Sequence, residues 1–123
     1  MNLNKKLECL AQDIYNWCKK NDLWGDNCMY FNGIALASWS KWAGENGEPV
    51  DEDLYLYKDK NPRDYFHGDG AVFSLSFEGG LNHVLNAYVP GWAKLESQFN
   101  DLFKKYGLYF EMYDSWNGNA YED

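Results

Sequence analysis

Asn32 and Gly33, with an apolar run on either side, constrain this chain more than any other feature. Cys28-Met29-Tyr30-Phe31 leads into the pair, and residues 34–42 lead out of it. Asn-Gly accepts the positive φ angles of a two-residue type I′ turn, so the flanking strands must fold back on each other. The chain is thereby committed to an antiparallel sheet. In the second strand Ile34, Leu36, Ser38 and Ser40 point one way, and Ala35, Ala37, Trp39 and Lys41 the other. Neither set is wholly polar, so both faces of this strand are at least partly covered.

Around that hairpin the periodicity changes. Leu3, Leu7, Leu10, Ala11, Ile14, Trp17 and Cys18 recur at helical spacing and predict an amphipathic helix over 3–20. Lys19 and Lys20 suit the negative end of its dipole, and Asn21 is a stop. Residues 44–53 read as a loop, with two Gly, one Pro and five acids. Leu54-Tyr55-Leu56-Tyr57 is a short strand with leucines on one face and tyrosines on the other. Residues 58–70 are a second polar loop, and 71–77 the next strand. Gly79-Gly80 opens a short helix with Leu81, Val84, Leu85 and Tyr88 inward, ended by Pro90-Gly91. A third helix over 92–106 turns Leu95, Phe99, Leu102, Phe103 and Tyr106 inward. A final strand over 108–113 precedes an acidic, turn-rich tail. The order α-β-β-β-β-α-α-β predicts one α+β domain over 1–123. It has an N-terminal helix, an antiparallel sheet of four to five strands, and two helices before a final strand.

The 123 residues suffice for a real core. No apolar run approaches the roughly 20 residues of a membrane span, and the first six residues hold no signal-peptide core. A cytoplasmic protein is expected. Cys9, Cys18 and Cys28 are odd in number, and Cys9 and Cys18 lie half a turn out of phase on the first helix, so they do not bridge each other. Without a C-x-x-C pair or a nearby His, they read as buried reduced thiols and not as a zinc site.

Charge is unevenly placed. The net charge is −8, and two segments carry all of the excess: residues 45–78 at −6 and residues 108–123 at −4. Glu48, Asp51, Glu52 and Asp53 fall in one block, Asp59, Asp64 and Asp69 in another, and Glu111 and Asp114 in a third. Tyrosines and tryptophans interleave with them, Tyr109, Tyr113 and Trp116 in the last block. Solvation alone needs no rings. Six Trp, ten Tyr and seven Phe exceed what one small core absorbs, so some are expected at the surface, as in interface hot spots and sugar platforms. An acidic surface of this kind repels nucleic acid and attracts a basic protein.

Catalytic alternatives are thin. Gly79-Gly80 precedes a helix but lacks the lysine of a phosphate loop, and no cofactor fingerprint occurs. Cys18 or Cys28 with His67 or His83 lacks an activating context for a nucleophile. Glu78 and Glu111 would serve a glycosidase only if held about 5–10 Å apart in a cleft. His67-Gly68-Asp69 with Asp64 lacks the oxygen spacing of a calcium loop, and no metal is expected.

Leu75-Ser76-Phe77-Glu78-Gly79-Gly80-Leu81 with Val84-Leu85-Asn86 resembles a segment of small acidic proteins from phages and mobile elements of Gram-positive bacteria. Lys105-Tyr106-Gly107-Leu108-Tyr109-Phe110-Glu111 with Ser115-Trp116 is similar in the same way. The resemblance implies a counter-defence inhibitor of the anti-CRISPR or anti-restriction type, a group that includes DNA mimics. Here the acids sit in loops and the tail and form no continuous array, which favours inhibition without duplex mimicry. The expectation is a non-enzymatic protein whose carboxylates occupy a basic nucleic-acid-binding site of a bacterial defence effector. The alternative is a small-molecule or carbohydrate module using Trp39, Trp42, Trp92 and Trp116.

Overall fold

The structure is a computed structural model that describes residues 1–61, 64, 65 and 68–123. Helix α1 spans Leu3–Lys20. The Asn2 side chain accepts the backbone N–H of Lys5 at 2.9 Å and satisfies one of the orphan donors of the first turn. Asn21 closes the other end, its side-chain amide donating to the Trp17 carbonyl at 2.8 Å. Leu7, Leu10, Ala11, Ile14, Tyr15 and Cys18 form the buried stripe.

Strands β1 (Asn27–Phe31) and β2 (Ile34–Ala37) make the expected hairpin, with φ of 51° at Asn32 and 76° at Gly33. β3 (Lys41–Trp42) and β4 (Glu45–Asn46) form a small separate ribbon. β5 (Glu48–Asp51), β6 (Leu54–Tyr57) and β7 (Phe73–Phe77) follow, then helices α2 (Gly80–Leu85) and α3 (Trp92–Lys104), and strands β8 (Leu108–Asp114) and β9 (Asn117–Glu122). The main sheet has the order β5-β6-β2-β1-β7-β9-β8, with every neighbour antiparallel.

The α+β order is as the sequence predicts, with a larger sheet of seven strands. The additional strands come from residues expected to be loop and tail. β5 is acidic and contains Pro49, which an edge strand tolerates because one side of its backbone needs no partner. β9 reads as a turn, Asn-Gly-Asn, yet lies between β7 and β8 with Asn117, Gly118, Asn119 and Ala120 buried. A Cβ on Gly118 would stand 2.3 Å from the Phe110 ring, so the glycine serves close packing here. The strand expected over 34–42 breaks after Ala37. α2 stops at Leu85, and the left-handed Ala87 (φ 62°) turns the chain outward, leaving Tyr88 71% exposed and not inward. Gly91 (φ 79°) caps the start of α3 and does not end α2.

The sheet has two cores. On the helix side Met29, Phe31, Phe73, Leu75 and Phe77 pack with the α1 stripe and with Phe99 and Phe103 of α3. Each fully buried side chain of this kind contributes roughly 1.5–3 kcal/mol. On the other side Cys28, Tyr30, Ala35, Ala37 and Tyr57 are buried under Trp39, Trp42, Tyr55 and Tyr65. Tyr30 and Tyr65 stack at 4.1 Å, and Trp42 meets Tyr57 edge-on at 5.4 Å. Much of the aromatic surplus is therefore a second core layer. Lys60 closes it, 2.8 Å from Glu45 and 4.6 Å from the Trp42 ring centre. The hydrogen bond to Glu45, reinforced by its charge, holds the Lys60 ammonium above the usual lysine range.

Candidate functional site

The first acidic block stands at one edge of the sheet. The β5–β6 turn is anchored from beneath: Tyr15 Oη donates to the Glu52 carbonyl, and Trp24 Nε1 to the Asp53 carbonyl at 2.6 Å. Burial pushes the Tyr15 hydroxyl up, and the negative charge of Asp51 pushes it further. The carboxylates of this block are largely matched by cations. Lys19 Nζ lies 3.5 Å from Glu52 and 3.6 Å from Asp53, and Lys58 lies 3.8 Å from Glu48. Asp51 turns back to accept the Glu52 amide. A cavity of about 370 Å³ opens beside Lys19, Trp24, Trp39 and Asp53.

The second block, Asp59, Asp64 and Asp69, lies exposed along the segment between β6 and β7. His67, weighed with Asp64 and Asp69 as a metal loop and set aside, falls outside the described residues. Among the described residues no group of three His, Cys, Asp or Glu side chains could hold a metal ion.

The third block forms the opposite edge. Tyr109 and Glu111 project from β8 on the face away from the helices, opposite Tyr121 and Asn119 of β9. Tyr109 stacks on Tyr121 at 5.4 Å. A bulge between Met112 and Asp114 turns the strand end outward and leaves Tyr113 59% exposed. It also exposes Met112, expected in the core but 39% accessible, because no element of the described residues covers the edge strand there. Trp116 sits in the β8–β9 turn, 44% exposed, with its amide held by Asp114 Oδ1 at 3.0 Å. Asn82 of α2 and Asn86 at its C-cap both donate to the Ser115 carbonyl at 2.7 Å. Their clamping role is not read from the sequence, where the available signal is their i,i+4 spacing on one helical face. Unlike the β5–β6 block, Glu111 and Asp114 have no cation within ion-pair distance among the described residues.

Six strand spacings separate β5 from β8, about 29 Å at roughly 4.8 Å each. The acids of the β5–β6 block and those of the β8–β9 block therefore do not share one patch. The four tryptophans considered as a sugar platform are not assembled either. Trp39 and Trp42 touch at 6.0 Å, while Trp92 begins α3 and Trp116 tips the β8–β9 turn. Glu78 follows β7 and Glu111 lies on β8, two strands and about four residues away, so their backbones stand about 16 Å apart, and no cavity found among the described residues is lined by both. Burial pushes the Cys18 and Cys28 thiols up to about 12, so both remain protonated at neutral pH. Among the described residues no helix is long and apolar enough to cross a membrane. Comparison with protein-family models, curated proteins and solved structures finds no match to this chain.

Proposed function

We propose that the protein binds a basic partner protein through its β8–β9 edge, with Tyr109, Tyr113 and Trp116 as anchors and Glu111 and Asp114 as steering charges. One observation supports this reading above the others. Exposed rings coincide at this edge with carboxylates that have no cation in reach among the described residues, whereas the β5–β6 acids are matched by lysines. Desolvated rings supply affinity at an interface, and rim charges supply encounter rate and specificity. A basic surface that accepts such an edge is of the kind that otherwise holds a phosphate backbone. The mode of action is occlusion: a non-enzymatic inhibitor that blocks the nucleic-acid-binding site of a bacterial effector, in the counter-defence manner that the sequence resemblance implies.

The test is competition. Purified nucleic-acid-binding defence effectors are captured on immobilised protein, then challenged with duplex DNA and RNA. The reading expects capture that nucleic acid reverses and that Trp116→Ala weakens. Capture indifferent to excess nucleic acid would remove occlusion, and capture indifferent to Trp116→Ala would remove this edge.

A further inference from the structure

The two edges of the sheet are built differently. β5 is four residues long, contains Pro49, bulges between Pro49 and Asp51, and pairs Glu48 with Lys58. Those are the devices by which proteins prevent strand pairing at an edge. β8 is seven residues long and carries no proline, glycine or lysine, and its bulge, between Met112 and Asp114, lies at its C-terminal end and leaves the ladder from Leu108 to Met112 regular.

Its hydrogen-bonding direction follows from the register. The Asp123 amide donates to the Gly107 carbonyl at 2.9 Å, which makes these two a hydrogen-bonded pair. Alternation along an antiparallel ladder then directs the backbone of Tyr109 and Glu111 toward Tyr121 and Asn119. On the far side of β9, the Phe77 amide donates to the Trp116 carbonyl, which by the same alternation turns Gly118 and Ala120 to β7 and agrees with that phase. The N–H and C=O groups of Phe110 and Met112 therefore point away from the sheet.

The flanks of this open edge differ in chemistry. On the helix side a cavity of about 180 Å³ lies between α3 and β8, floored by Leu85, Phe110 and Met112 and rimmed by Glu96 and Asn100 of α3. A second, of about 280 Å³, continues along Asn100, Lys104, Tyr109 and Phe110. On the other side Glu111 faces outward, with no cation in ion-pair reach among the described residues. We propose that β8 accepts an additional β-strand from a partner protein, one whose side chains alternate between apolar and basic. The apolar set fills the groove against α3, and the lysines or arginines line up with Glu111. A second copy of this chain is the poorer occupant. Each copy carries −8 overall and −4 in this block, and like charges opposed across strands destabilise pairing.

This inference rests on the proposed binding edge, and its test separates the two. The probe is a capped seven-residue peptide of alternating Lys and Val, against the same peptide N-methylated on the amides of one edge, and against alternating Glu and Val. Strand addition predicts that the Lys/Val peptide slows hydrogen exchange at the Phe110 and Met112 amides by about tenfold or more. It predicts that N-methylation on the pairing edge abolishes this, and that Glu111→Lys exchanges the preference to the Glu/Val peptide. A Lys/Val peptide that binds without protecting those amides, or as well when N-methylated on either edge, overturns strand addition and leaves an electrostatic edge. No binding by the peptide overturns strand addition, and the effector competition above then decides alone for the edge. A dimer in sedimentation whose interface protects the same amides would replace the basic strand with a second copy and overturn the proposed occupant.

Discussion

Gly118 shows how one residue can hold an edge together. It lies under Phe110, and a Cβ would also approach the Glu111 carbonyl to 2.6 Å. Gly118→Ala is expected to cost about 1–3 kcal/mol through overpacking, read by chemical denaturation. An unchanged midpoint would mean that β8 shifts freely over β9. The buried thiols make a second prediction at this scale. In the fold Cys18 and Cys28 hold their protons to about 12, whereas in the unfolded chain they titrate near 9.0. A group whose pKa is raised on folding contributes fully below its unfolded value and loses that contribution as pH climbs to the folded one. Stability should therefore decline between pH 9 and 12 as the unfolded chain releases protons that the fold retains, by about 1.4 kcal/mol per pH unit for each thiol. Cys18→Ala should make that decline shallower, and an equally steep decline in the variant would contradict the assignment.

Among the elements, the β1–β2 hairpin rests on its turn. Asn32 and Gly33 are both left-handed, and the Asn32 side chain donates to the Asn4 carbonyl at 3.0 Å, tying the turn to α1. Gly33→Val forces a β-branched residue to φ near 76° and should destabilise by about 1 kcal/mol or more in thermal denaturation. This hairpin, α1 and α3 were legible because their apolar residues keep one period and their turns use the residues that the geometry demands. β5 and β9 were not. β5 has the composition of a loop, and only its position at the edge makes Pro49 and four exposed residues compatible with a strand. β9 buries Asn117 and Asn119, residues that normally signal turns, because the sheet face beyond Ser74 and Ser76 is polar. The outward set Tyr109, Glu111 and Tyr113 was readable from alternation, whereas Met112 was not, since the bulge that exposes it has no local signature. The neutralising partners were hidden for a simpler reason. Lys19 is more than thirty residues from Glu52 in the chain, and only the fold brings them together.

For the molecule as a whole, the acids at the two sheet edges differ: those of the β5–β6 turn are matched by lysines, and Glu111 and Asp114 at β8–β9 have no cation in reach among the described residues. Exposed charges act over about 8 Å at physiological ionic strength, so unmatched carboxylates dominate encounter with a basic partner. Association should slow as salt rises, and dissociation should change little. The most direct measurement compares association rate constants with a basic partner for two double variants of equal charge change. Glu111→Gln with Asp114→Asn removes the open pair, and Glu48→Gln with Glu52→Gln removes two of the matched acids. The first should slow association several-fold, on the order of threefold to tenfold, and the second should stay within about twofold of the parent protein. Equal slowing by both, or slowing by the second alone, would show that the β8–β9 edge is not the recognition surface.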